Sequence, residues 1–76
     1  MAIQMTFAKH PQIKQHFLAS INGFDYIVAK SSFGWHARVN NPGVNQTYEH
    51  VDQLVYDNRG QAEYACNMHA NMEAAK

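Results

Sequence analysis

The sequence predicts an α+β fold, a two-layer domain in which an antiparallel three- or four-stranded sheet packs on one C-terminal amphipathic helix. Three observations carry that expectation. Apolar residues alternate on both sides of Asn22-Gly23, the dipeptide that best supplies the two positive φ angles of a type I′ hairpin turn. A second alternating run, Phe33 to Val39, follows within a few residues. Beyond Asn58 the apolar spacing changes from a period of two to that of a helix with one buried side. A single small domain is expected over residues 1–76, with an N-terminal arm or edge strand over 1–11, the sheet over 12–56 and the helix over 58–75.

Taken in order, Ile3, Met5 and Phe7 alternate and are separated by Pro11 from the first hairpin, so they read as an edge strand or a clamped arm. Ile13, Phe17, Ala19 and Ile21 then lead into Asn22-Gly23, and Phe24, Tyr26 and Val28 lead out. A two-residue turn there sets Ile21 opposite Phe24, Ala19 opposite Tyr26 and Phe17 opposite Val28. A second tight turn at Ser31-Ser32 would set Val28 against Trp35, Tyr26 against Ala37 and Phe24 against Val39, all on the same apolar side. The other side then carries Asp25 against Arg38, with Leu18, Ile27 and His36 in one row. Asn40-Asn41-Pro42-Gly43 is a turn. Residues 45–56 mix helical spacing (Val51, Leu54, Val55, behind a possible Thr47 cap) with good strand formers, and read best as a further strand ending near Tyr56. Asn58 and Gln61 make a capping box for the last element. Tyr64, Ala65, Met68, Met72 and Ala75 form the stripe expected to face the sheet, with Met68 and Met72 near Trp35 and Phe17.

Six Lys and Arg balance six Asp and Glu, and amides (seven Asn, six Gln) supply much of the polar surface. A zero net charge argues against a dedicated nonspecific polyanion binder, which needs a Lys/Arg surplus to displace counterions. The balance is uneven along the chain. Residues 1–40 hold Lys9, Lys14, Lys30 and Arg38 against Asp25, and residues 41–76 hold Arg59 and Lys76 against Glu49, Asp52, Asp57, Glu63 and Glu73. The halves either neutralise each other on folding or give a dipolar molecule. A single Cys permits no internal disulfide. No stretch has the length and apolarity of a membrane span or secretory leader, so no membrane partner and a cytoplasmic location in a bacterial host are expected.

Few residues suggest chemistry. Cys66 and His69 lie three apart on the helix, with Glu73 one turn on, a spacing open to a metal half-site or an imidazole-held thiolate. Without a second Cys, Cys66 reads as a small buried hydrophobe. The His residues are scattered, and His36 meets His50 only if the chain after Pro42 folds back beside the Phe33–Val39 strand. Ser20, Asp25 and His36 share a sheet face, yet no strained nucleophile turn or glycine-framed oxyanion hole accompanies them. No phosphate-cradling glycine motif occurs. The expectation is no catalytic residue, no metal and no cofactor.

Binding is better supported. On the open sheet face His16, Leu18, Ile27, His36 and Arg38 form an apolar strip rimmed by adaptable donors, a composition suited to a partner surface. That strip is open to three fates: the arm folds over it, two copies pair through it as a homodimer, or a different partner binds it. Glu49, Asp52, Asp57 and Glu63 form a second, acidic candidate near the helix start, where the macrodipole favours carboxylates.

The runs Phe33-Gly34-Trp35-His36-Ala37-Arg38-Val39 and Leu54-Val55-Tyr56-Asp57-Asn58-Arg59-Gly60-Gln61-Ala62-Glu63 resemble small proteins of phages and mobile elements that place a short antiparallel sheet before one amphipathic helix. Several anti-CRISPR and related host-takeover inhibitors have this layout. The resemblance covers about the last two-thirds of the chain and is one of layout, not of activity. It implies a cofactor-free inhibitor whose partner is a protein, such as a CRISPR or nucleic-acid-processing complex. Direct nucleic-acid binding by the basic half is the alternative.

Overall fold

Asn22 and Gly23 take φ angles of 53° and 82°, as a type I′ turn requires, and the first hairpin has the expected register. The structure, a computed structural model, describes residues 3–41, 48–52 and 54–75. Its elements are β1 (Ala8–Lys9), β2 (His16–Ile21), β3 (Phe24–Ser31), β4 (Gly34–Asn40), β5 (Glu49–His50) and α1 (Arg59–Ala74). The strands form one antiparallel sheet in chain order, which makes an α+β fold with a C-terminal helix. Ile21 faces Phe24, Ala19 faces Tyr26 and Phe17 faces Val28. β2 begins at His16 rather than Ile13, because Gln15 turns the chain with φ 57°. Ahead of that turn His10 Nδ1 accepts from the Gln12 and Ile13 amides, both at 3.0 Å.

The second hairpin turns one residue later than Ser31-Ser32. Ser31 pairs with Gly34, so Val28 faces Ala37, Tyr26 faces Val39, and Trp35 faces Lys30. Each pairing thus moves by two residues, which keeps every side chain on its expected face but separates Asp25 from Arg38. Asp25 faces Asn40, and Arg38 faces Ile27. Local chemistry explains the shift. Ser31 Oγ accepts from the Phe33 amide at 3.2 Å, bracing a turn centred on Ser32 and Phe33, and Gly34 takes φ 138°. A Cβ on Gly34 would lie 2.7 Å from Tyr56 O and 2.8 Å from Val55 Cγ1, so glycine also permits a close approach there.

After β5 the chain stays beside β4 without continuing as a regular strand. Val51 N donates to Ala37 O at 2.9 Å, and Trp35 and Tyr56 exchange two backbone hydrogen bonds of 2.8 Å. The strand expected over 45–56 is therefore a two-residue strand, a bend and a bridge. Residues 45–47, including the Thr47 cap, lie outside the described residues, as do Pro42 and Gly43 of the expected turn.

The helix starts as predicted. Asn58 is the N-cap, its Oδ1 accepting from Gln61 N at 2.9 Å, while Gln61 Oε1 accepts from Asp57 N at 3.0 Å. Its buried side differs from expectation. Ala62, Ala65, Cys66 and Ala70 face the sheet, whereas Tyr64, Met68 and Met72 point outward. Size complementarity sets this phase. The sheet supplies Tyr26, Trp35, Phe17 and Phe24 to the core, and only small side chains fit opposite them at interior packing density. Arg59 lies across the Phe17 ring at 4.2 Å, and Phe17 lies 6.1 Å from Trp35.

Residues 3–7 run extended along the helix as the clamped arm. Asn71 Oδ1 accepts from Ile3 N at 2.7 Å and its Nδ2 donates to Ile3 O at 3.0 Å. Asn67 Oδ1 accepts from Met5 N at 2.7 Å. Two asparagines one turn apart thus do for the arm what a neighbouring strand would do, and Ile3, Met5 and Phe7 pack on the core. The arm therefore does not cover the open face of the sheet.

Candidate functional site

The register gathers the expected sheet-face residues. Leu18 faces Ile27, Ile27 faces Arg38 and Arg38 faces His50. His16 faces Ala29, which in turn faces His36. His16, Leu18, Ile27, His36 and Arg38 thus share one face, with Leu18 and Ile27 half-buried and Arg38 exposed. His16 Nδ1 donates to Lys14 O at 3.0 Å. Of the supposed triad, Asp25 Oδ1 accepts from Ser20 Oγ at 2.6 Å, while His36 Nε2 lies 2.6 Å from Ser31 Oγ, so these residues do not form a nucleophile–base relay.

β5 does lie beside β4, antiparallel to it, and this brings His50 to His36. Their rings sit edge to face with centroids 5.7 Å apart. Burial, then the neighbouring Arg38 and His50, lower the His36 pKa below its ordinary value, which favours the neutral imidazole. His36 and His50 line a cavity of about 390 Å³ with Leu54 and Val55. The sequence offered the His36–His50 approach only conditionally, and the expected sheet-face set omitted His50, because its position depends on distant pairing with β4.

The acidic candidates have separate local roles. Glu49 is exposed on β5, opposite Val39. Asp52 accepts hydrogen bonds from the Tyr56 hydroxyl and from Leu54 N. Asp57 precedes the N-cap, and Glu63 pairs with Arg59 at 3.0 Å. The first helical turn contains no acidic residue, so the expected use of the macrodipole is absent there.

Cys66 is fully buried, and its thiol is pushed up to about 12 by burial, then by Glu63 and Asp52. Such a thiol is a packing group, not a thiolate nucleophile. His69 Nδ1 lies 2.7 Å from the hydroxyl of buried Tyr26, and Nε2 lies 3.8 Å from Glu73. The imidazole therefore links the sheet to the helix instead of activating Cys66. Among the described residues, no group of three or more His, Cys, Asp or Glu is placed to hold a metal ion.

A surface that the sequence assigned to the core is outside. Tyr64, Met68 and Met72 are 66%, 47% and 64% exposed and form a continuous i, i+4, i+8 ridge on α1. On one flank a cavity of about 430 Å³ runs to Val51 and Tyr56, and on the other a cavity of about 560 Å³ runs to Ile3 and Gln4. Asn67 and Asn71 rim the second cavity. The signal available in the sequence was the alternative stripe of Ala62, Cys66 and Ala70, whose small size marks the closely packed side.

No helix among the described residues is long and apolar enough to cross a membrane. No known protein family, curated protein or solved structure matches this chain.

Proposed function

We propose that the chain is a small non-enzymatic binding protein that covers a surface of a larger protein complex, in the manner of phage inhibitors of bacterial defence or nucleic-acid-processing machinery. The observation that supports this reading is the Tyr64–Met68–Met72 ridge. Large, adaptable apolar side chains at i, i+4 and i+8 suit helix-in-groove recognition, and Met in particular re-packs against varied partners. Gln61, Asn67 and Asn71 add polar groups around it. The test is phage plating on a bacterial strain with active CRISPR immunity. Expression of the chain should restore plaques, and Met68→Glu, folded by circular dichroism, should not. Unchanged immunity in every interference type challenged counts against the inhibitor reading.

A second reading, nucleic-acid binding by the sheet, draws support from exposed Arg38 standing opposite His50. It requires DNA or RNA affinity that falls steeply with salt and is lost in Arg38→Ala and Lys30→Ala.

A further inference from the structure

We infer that His36 and His50 form a two-imidazole binding site for a borderline divalent transition metal ion of the Cu²⁺, Ni²⁺ and Zn²⁺ class. Both rings line the same cavity, beside Leu54 and Val55. Their centroids are 5.7 Å apart. Two metal–nitrogen bonds of about 2.0–2.1 Å each, with the two ring radii added, span roughly 5–6.5 Å, so one ion fits between the rings with little more than side-chain rotation.

The hydrogen bonding prepares one of the two donors. His36 Nε2 lies 2.6 Å from Ser31 Oγ, and that oxygen already accepts from the Phe33 amide. His36 Nδ1 is shielded from water and has no hydrogen-bond partner. If Nε2–H donates to Ser31, Nδ1 carries a lone pair. The opposite tautomer would leave an N–H buried and unpaired, the costlier arrangement. A ligating His ordinarily donates its other ring N–H to a second protein group, which fixes tautomer and ring orientation; Ser31 plays that part here. His50 belongs to the exposed two-residue strand β5, so its ring has room to adjust. The remaining coordination positions belong to water.

The other His residues are less well prepared. His10 and His16 have ring centroids 6.5 Å apart, and each already uses Nδ1 locally. His69 has Nδ1 on Tyr26 and Nε2 toward Glu73.

The experiment is calorimetric titration of the full chain with CuCl₂, NiCl₂ and ZnCl₂, alongside imidazole resonances followed by NMR during the zinc titration. One ion per chain is expected, Cu²⁺ binding more tightly than Ni²⁺ or Zn²⁺, with His36 and His50 shifting first. His50→Ala should weaken binding at least tenfold and Ser31→Ala by about tenfold, while the double variant His10→Ala with His16→Ala binds as before. Should His36→Ala fail to fold, His50→Ala on the exposed strand still decides the matter. Absence of binding, full affinity in folded His50→Ala, or loss of binding in the His10/His16 variant overturns the assignment.

Discussion

At Gly34 two demands meet in one residue: a backbone φ of 138° and a Cβ position 2.7 Å from Tyr56 O. Gly34→Ala should therefore cost about 2–4 kcal/mol, combining backbone strain with overpacking, and urea denaturation measures the loss. Tyr26, Tyr56 and Cys66 give a second residue-scale expectation. Burial is the leading cause that pushes each of them up to about 12, with Asp52 reinforcing it at Tyr56. These groups stay protonated longer in the folded chain than in the unfolded one. Their contribution is complete below the unfolded values near 9 for the thiol and 10 for the phenols, and falls as pH rises toward 12. The slope reaches about 1.4 kcal/mol per pH unit for each group. Denaturation from pH 8 to 11.5 should show this decline, and Tyr56→Phe should shallow it. The sequence revealed the buried thiol, since a lone Cys among alanines packs like one more small residue. It did not reveal why Gly34 is glycine, because the atoms that crowd it belong to Val55 and Tyr56.

Among the elements, the helix shows where pattern reading succeeds and where it gives way. Its start was legible because capping is local chemistry: Asn58 meets an amide three residues away. Asn58→Ala should cost about 1 kcal/mol. Its facing was not legible, because an alanine-rich helix carries two apolar stripes and hydrophobicity alone ranks Met and Tyr above Ala. The aromatic residues across the interface decide between them. Ala62→Leu should then destabilise by about 1–3 kcal/mol through overpacking, whereas Met68→Ala should stay within about 0.5 kcal/mol, as thermal or urea unfolding can compare directly. The second hairpin had the same limitation on a smaller scale. Strand alternation fixed its faces, but the turn position rested on Ser31 side-chain bonds that alternation does not encode.

For the molecule as a whole, the layout was readable because the three long strands pair with their chain neighbours through short turns. Among the described residues the buried apolar set is small: Tyr26, Val28 and Ala37 on the sheet, with Ala62, Ala65, Cys66 and Ala70 on the helix. Half-buried Ile3, Met5 and Phe7 therefore matter to the total. Replacing Asn67 and Asn71 by Ala together should speed amide exchange at Ile3 and Met5 at least tenfold. Each kcal/mol lost should lower Tm by about 4–8 °C in a domain of this size. Neither asparagine pointed to the arm in the sequence, since their bonds cross 62 and 68 residues.

That long closure orders events during synthesis. Ile3 and Met5 leave the ribosome ahead of Asn71 and Asn67, by 68 and 62 residues respectively. At bacterial-to-eukaryotic translation rates of about 5–20 residues per second, the arm waits roughly 3–14 s for its partner. The sheet can assemble in that interval, but the arm cannot dock. The arm thus depends on residues made long after it, and a nascent chain stalled before Asn67 presents Ile3, Met5 and Phe7 to chaperones.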